Sequence, residues 1–533
     1  MSATEDKLAS EDVPVSGDAR AAENPDSIKQ DGAHSSEVQT TDAQRNATDD
    51  AVWSVWTPTQ KKIIILAAGI ASFFSPISAQ IFFPALNTIA ADLKVSNSLV
   101  NLTITTYMFM QGLAPTFIGQ FSDNAGRRPA YMICFVIYIA ANIGLAVQNS
   151  YPALMVLRCL QSAGSSGTVS LANAVAADIV TSSERGVYVA YLSVAPMIGP
   201  SLGPVIGGLL AQYVGWHFIF WFLVIVAGAV FVPMLFFFPE TCRKVVGDGS
   251  IPPVAWNRCC TNIIQEKRAV RAGKTIPWEK RDELARGRHL RVPNPFATLK
   301  LVFQRESGYA LAYIAIVCCG MYATVAMIPS QFADIYRFNQ LQISLCYIPL
   351  GVGSMVAAFV RGRVIDSRFR YHAKRLGIPV ERNKRTDLTN FPIERARLEV
   401  AVPTAFLSAV CMIGFGWTVQ YKTNLAGPLI LLFVIGFSVS ATLNTISVLV
   451  IDLYPGRAGT VTAANNLLRC WLGAGSTALV VPMIDGMGVG WTCTLFGLVV
   501  FGCSPILWYI MKQGPKWRRE ARPKRESRAA SSV

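Results

Sequence analysis

Twelve apolar runs dominate this sequence, at residues 63–83, 99–121, 130–148, 152–177, 187–213, 216–238, 308–328, 342–360, 400–420, 427–450, 458–483 and 490–511. Each is about the length that a helix rising 1.5 Å per residue needs to cross the hydrocarbon core of a bilayer. Within lipid the backbone must satisfy its own N–H and C=O groups, and a helix does so inside each segment. The 533 residues are 52% hydrophobic and only 15% charged, with a mean hydropathy of +0.37. Soluble globular chains carry about 25% charged residues. A disordered chain is excluded, and a large soluble enzyme is argued against. The sequence predicts an all-α membrane protein of twelve transmembrane helices.

The net charge is +15, and its placement matters more than its size. Residues 1–50 hold 12 acidic against 4 basic side chains, so everything after them is +23. Basic residues gather in alternate gaps between the apolar runs: 14 Lys and Arg against 6 acids in 239–305, 11 against 5 in 361–399, and 8 against 2 after residue 511. The opposite loops hold Asp92, Lys94, Asp334, Arg337, Lys422 and Asp485, which cancel. The positive-inside rule then places both termini in the cytoplasm of a multi-pass protein, with the plasma membrane as the expected location. No aromatic-basic interleaving suggests nucleic acid. The 12 cysteines show neither a CxxC pair nor zinc spacing, and most of them read as reduced packing residues, with Cys242, Cys259 and Cys260 set apart in a cytoplasmic loop.

Five regions follow. Residues 1–60 read as a disordered acidic cytosolic tail, 61–238 and 308–511 as two six-helix halves, 239–307 as a basic cytoplasmic loop, and 512–533 as a basic tail. Gly119 to Asp123 after span 2 is echoed by Gly362 to Asp366 after span 8. Asp178 with Arg185 after span 4 is echoed by Asp452 with Arg457 after span 10. Such echoes suit two pseudo-symmetric halves related by an axis along the membrane normal.

The loop after span 2 carries Gly119, Asp123, Gly126, Arg127, Arg128 and Pro129. Asp123 can accept from backbone N–H groups at a helix start or pair with an arginine, and the cluster could latch one conformation. A plain turn with positive-inside residues would look the same. This spacing resembles the G-x-x-x-D-x-x-G-R-R/K motif of the major facilitator superfamily. In span 5, Gly199, Gly203 and Gly207 recur at i, i+4, i+8, beside Pro200 and Pro204. They give one smooth face for close helix approach, with two missing backbone donors. That face suits a rocking joint between the halves. The pattern is similar to the superfamily's antiporter signature, and Pro239 to Arg243 is similar to its P-E-T-x-R.

Arg158 and Gln161 share a face of span 4, and span 11 carries Asn465, Asn466 and Arg469. Ionisable groups inside a membrane are costly and default to functional hypotheses. A structural arginine capping carbonyls is the alternative. No Asp or Glu lies well inside any of the twelve runs. Two intramembrane arginines without an acidic partner suggest an anionic or neutral-polar substrate, since a carboxylate ligand would fill the vacancy. Further polar candidates for a cavity between the halves are Gln80, Asn101, Tyr107, Asn173, Tyr322, Tyr347 and Asn444. Pro76 and Pro84 are placed to break span 1.

Segments 75–86, 110–115, 452–455 and 465–470 resemble the fungal twelve-span drug:proton antiporter family, near the branch of quinidine-resistance-type and citrate exporters. The resemblance covers residues 60–515. It implies proton-linked export of a small organic molecule by a monomer, with no cofactor and the proton gradient as energy source. Arg158, Gln161 and Arg469 would form the substrate and coupling site, together with Gln80, Asn465, Tyr347 and Asn444. Organic-anion export without strict proton coupling is the alternative. An importer, a transport-dead sensor and a membrane enzyme follow at a distance, the enzyme because only 4 histidines are present.

Overall fold

The computed structural model describes residues 54–180, 185–271, 278–279, 281, 299, 301–375, 392–454 and 458–530. The expected acidic tail before residue 54, Arg457, and most of the central loop beyond residue 271 lie outside them. The side chains of Arg185 and Asp366 are likewise outside the description.

Every regular element among the described residues is helical. Span 1 is Pro58–Gln80, then a 3-10 turn Phe83–Ala85 and a short helix Leu86–Asp92. Spans 2 to 6 are Asn97–Ala125, Arg127–Val147, Tyr151–Ile179, Arg185–Tyr213 and His217–Phe237. Span 7 is Arg305–Tyr336, and span 8 is Gln340–Leu345 plus Ile348–Arg375. Spans 9 and 10 are Ile393–Gln420 and Ala426–Leu453. Spans 11 and 12 share the element Ala458–Cys503, which turns at Gly488 (φ 82°), and Pro505–Ala530 continues from it. Eight helical stretches among the described residues are long and apolar enough to cross a membrane, and one of them, 460–520, contains both final arms.

Local chemistry sets the boundaries. Thr57 and Gln60 form a reciprocal capping box at the start of span 1, and Asn339 with Gln342 does the same for span 8. Pro84 sits in the 3-10 break, as expected. Pro76 does not break span 1, because the helix runs through it to Gln80. A proline inside a membrane helix is tolerated where neighbouring helices re-satisfy the backbone.

Helix pairings repeat at an offset of six. Spans 1–4, 1–5, 2–4, 3–4 and 3–6 pack together, and so do 7–10, 7–11, 8–10, 9–10 and 9–12. Between the halves, span 2 meets span 11 and span 5 meets span 8. Hydrogen bonds across this seam run from mid-depth toward the side away from the termini. Asn466 Nδ2 donates to the Gln111 carbonyl (2.8 Å), Trp471 Nε1 to the Phe109 carbonyl (3.2 Å), and Asn87 Nδ2 to the Pro329 carbonyl (2.9 Å). The Gln340 amide also bonds Thr88.

The glycine face of span 5 does not point at the other half. A Cβ on Gly199 or Gly203 would meet Pro76, Ile77, Gln80 and Ile81 of span 1, and on Gly207 it would collide with the Ile81 carbonyl. The expected joint between halves is instead a seam within the first half. The surface of span 5 that meets span 8 is another one, where Ser201 opposes Gly351, Gly208 opposes Ser344, and Gln212 accepts from the Gln340 N–H (3.2 Å). Periodicity marks a face but does not say which neighbour covers it.

Candidate functional site

Two polar clusters sit at different depths. The first lies at the terminal side, around the start of span 3. Span 2 ends at Gly126, whose φ of 113° is open to glycine and poorly tolerated by other residues. A Cβ there would also run into the Glu240 carboxylate and Asn257. Arg127 then donates to Asp123 (2.5 Å), to Ser122 (2.7 Å) and to Asp178 at the end of span 4 (2.8 Å). Arg128 donates to the carbonyls of Leu235 (2.7 Å) and Trp256 (3.3 Å).

The helix start itself is held by Glu240, and of the two roles open to Asp123 the structure shows the pairing with an arginine. Glu240 is fully buried and accepts from the N–H groups of Arg127 (2.8 Å), Arg128 (3.2 Å), Thr241 (3.0 Å) and Cys242 (2.9 Å). A carboxylate at a helix N-terminus satisfies orphan donors and the positive end of the dipole. Burial pushes its pKa upward, and the four N–H groups pull the other way. Replacing Glu240 with glutamine turns one of its two accepting oxygens into a donor and removes the charge. We expect about 2–3 kcal/mol of lost stability, as for a buried charged hydrogen bond. A fall in the thermal midpoint of the purified protein reads this out, and an unchanged midpoint would contradict it.

The second half repeats the device in altered form. Arg397 at the start of span 9 reaches Asp452 at the end of span 10 (3.2 Å), as Arg127 reaches Asp178. Glu394 in the first turn of span 9 is fully buried and pairs with Arg518 beyond span 12 (3.5 Å). Of the acids noticed as sequence echoes, Asp123 and Asp178 pair with Arg127 at the start of span 3, and Asp452 pairs with Arg397 at the start of span 9.

The second cluster lies at mid-depth. Arg158 is fully buried, and its guanidinium carbon stands 4.3 Å from the ring centroids of both Phe82 and Tyr107. One nitrogen donates to Gln161 Oε1 (2.5 Å) and to the Ser78 carbonyl (3.3 Å), while Nε and Nη2 have no hydrogen-bond partner. Gln161 is oriented by its own donation to Asn142 (2.7 Å). Two aromatic faces stabilise the cation without neutralising it.

A polar chain links this cage to the other half. The Tyr107 hydroxyl donates to the Ser75 carbonyl (3.2 Å), and Gln111 Nε2 donates to Ser75 Oγ (3.3 Å). The Gln111 carbonyl accepts from Asn466 of span 11, whose Oδ1 accepts from Arg469 (2.8 Å). Arg469 is half-buried, and its Nε has no hydrogen-bond partner. Among the described residues, neither Arg158 nor Arg469 lies within ion-pair distance of a carboxylate. Gln111, Phe82 and Asn142 escaped the sequence reading, although Gln111 stands in the noticed segment 110–115.

The other candidates scatter. Asn465 donates to Ser447 (3.0 Å) and joins spans 10 and 11. Asn173 and Asn444 are exposed at equivalent places in spans 4 and 10, each donating to the carbonyl four residues back. Gln80 is half-buried beside Gly203. Tyr347 is no open cavity group. It is buried, and its hydroxyl is spent on the Val325 carbonyl (3.0 Å). A cleft of about 520 Å³ opens on the side away from the termini, with Asn87, Ser96, Asn97, Ser330 and Asp334 in its wall. Neither arginine lines it.

Comparison with known proteins agrees with this architecture. Residues 68–478 match the Major Facilitator Superfamily. The chain is 48% identical over 491 residues to the MFS-type transporter phiD of a fungal species (strain ATCC 74256), covering 92% of this chain and 74% of that protein. It is 34% identical over 514 residues to citrate exporter 1 of Aspergillus niger, covering 94% of each. Among solved structures, the Escherichia coli xylose transporter XylE superposes with a TM-score of 0.57 over 84% of this chain and 96% of that one, at 14% identity. Matched over most of its length, and built of two six-helix units with repeating contacts, the chain is an integral multi-pass membrane protein that belongs to the Major Facilitator Superfamily.

Proposed function

We propose that this protein exports a small organic anion by alternating access, with Arg158 and Arg469 attracting the anionic group. The observation that carries this reading is the pair of intramembrane guanidinium groups, each with donor capacity left over and, among the described residues, no carboxylate within ion-pair distance. A carboxylate can take a bidentate contact from such a group. The Aspergillus niger relative, named a citrate exporter, supports the same class. Both termini lie in the cytoplasm and the protein works as a monomer in the plasma membrane. The proton gradient is the energy source, and no cofactor takes part. No span carries an acid well inside it to shuttle the proton. The proton therefore rides on the substrate or uses the Asp123–Asp178 cluster.

Yeast cells lacking their own exporters provide the test. Cells preloaded with labelled citrate lose it faster when they express the protein, and Arg469→Ala slows that loss at least about tenfold, the factor for one weakened charged contact. An uncoupler slows it too. Export of a cationic drug that survives Arg469→Ala, with no carboxylate efflux, would overturn the anion reading. Citrate efflux unchanged by an uncoupler would remove the proton gradient from it.

A further inference from the structure

The segment after span 6 folds back onto the first half and presents an exposed surface outside the two polar clusters described above. Its helix, Cys260–Arg271, starts at the membrane edge, where Thr261 Oγ1 donates to the Phe237 carbonyl at the end of span 6 (2.9 Å). Phe236 and Phe237 are exposed there, in the lipid-facing band. One side of the helix is pinned down. Asn262 is buried and bonds the Cys259 N–H (3.3 Å), Glu266 pairs with Arg258 (3.1 Å), and Asn257 Nδ2 donates to the Ala125 carbonyl (3.0 Å). The other side is exposed and carries Ile263, Ile264 and Val270 interleaved with Lys267, Arg268 and Arg271. Among the described residues, none of these three bases forms an ion pair.

We propose that this helix is a docking surface for anionic lipid headgroups of the protein's own bilayer. A helix lying in the interface buries its apolar side chains at the acyl boundary and lets lysine and arginine snorkel to the phosphates. Three features favour lipid over a soluble partner: the attachment to the last carbonyl of span 6, the continuity with Phe236 and Phe237, and Trp256, exposed one turn before the helix. The proposal is independent of what is transported.

The test uses the full-length purified protein and the variant Lys267→Gln/Arg268→Gln/Arg271→Gln. Phosphatidylserine titrated in detergent shifts the thermal midpoint of the wild type with an apparent affinity roughly 100-fold above that of the triple variant at low salt, the combined effect of three basic contacts with an anionic surface. The gap closes at high salt, and phosphatidylcholine separates the two proteins little. In nanodiscs, hydrogen exchange across 260–271 slows when phosphatidylserine replaces part of the phosphatidylcholine. Ile263→Asn/Ile264→Asn speeds it in both membranes. Equal phosphatidylserine affinity of wild type and triple variant, or exchange at 260–271 indifferent to lipid charge, would overturn the proposal and leave a surface for another protein. Equal competition by inorganic phosphate would reduce it to a site for free anions.

Discussion

Replacing Gly207 with alanine is expected to strip the protein of most of its monodisperse folded yield, while Gly203→Ala is tolerated. Both positions lie on one face of span 5 and both are packed against span 1, so sequence periodicity treats them alike. Their surroundings differ. A methyl at position 203 would stand 3.1 Å from the Gln80 Cβ and 3.2 Å from the Ile77 carbonyl, contacts that a shift of a few tenths of an ångström relieves. A methyl at position 207 overlaps the carbonyl of Ile81, a backbone atom that cannot turn aside. The helices would have to separate along the whole seam and lose the close packing that holds membrane helices together in place of a hydrophobic driving force. Overpacking of this kind costs about 2–3 kcal/mol. Gel filtration and thermal unfolding of the two variants check it, and equal behaviour would show that span 1 can move freely here.

The seam bears on transport as well. Span 1 leaves its α-helix at Gln80 and turns through Phe83–Ala85, and in this stretch it supplies the Ser78 carbonyl and the Phe82 ring to Arg158. Gly203 and Gly207 let span 5 press on residues 77–81 of the same stretch. The glycine face thus positions one wall of the arginine cage. A variant at 203 that still folds is expected to lose affinity for substrate before it loses stability.

Much of this architecture is legible in the sequence because the bilayer narrows the choices. Apolar run length gives the spans, and the charged gaps between them show which loops share a side. Arg158 and Arg469 stand out because charge inside lipid needs a reason. What stays hidden is long-range pairing. Glu240 holds the N–H groups of Arg127 and Arg128 from more than 100 residues away, and nothing local marks it as the partner. Phe82 reads as an ordinary apolar residue of span 1, and Tyr107 as one polar candidate among several, until folding brings both rings onto one guanidinium. Tyr347 looks like a cavity hydroxyl, and only the fold reveals the Val325 carbonyl that occupies it.

Arg158→Met is expected to leave the protein at least as stable as the wild type and to abolish anion export. A fully buried cation without a counter-ion costs several kcal/mol of desolvation. Two aromatic faces return about 2 kcal/mol each, and the bonds to Gln161 and Ser78 return part of the remainder. Methionine has a similar length, packs well against rings, and carries no charge to desolvate. Its costs are that Gln161 Oε1 loses its donor, about 1–3 kcal/mol, and that the Ser78 carbonyl loses a longer contact of 3.3 Å. A structural arginine would behave in the opposite way, since its loss would lower the thermal midpoint and leave transport in the surviving protein intact. Arg158→Lys separates charge from shape. An ammonium keeps the cation but lacks the planar fork that lies between two rings while donating sideways to Gln161. Export by the lysine variant is therefore expected below about a tenth of wild type, a factor worth roughly 1.4 kcal/mol. Efflux of a labelled carboxylate and thermal unfolding, measured on the same three proteins, decide the matter. Wild-type export by Arg158→Met would remove this residue from the transport site and leave Arg469 as the remaining intramembrane cation to bind the anion.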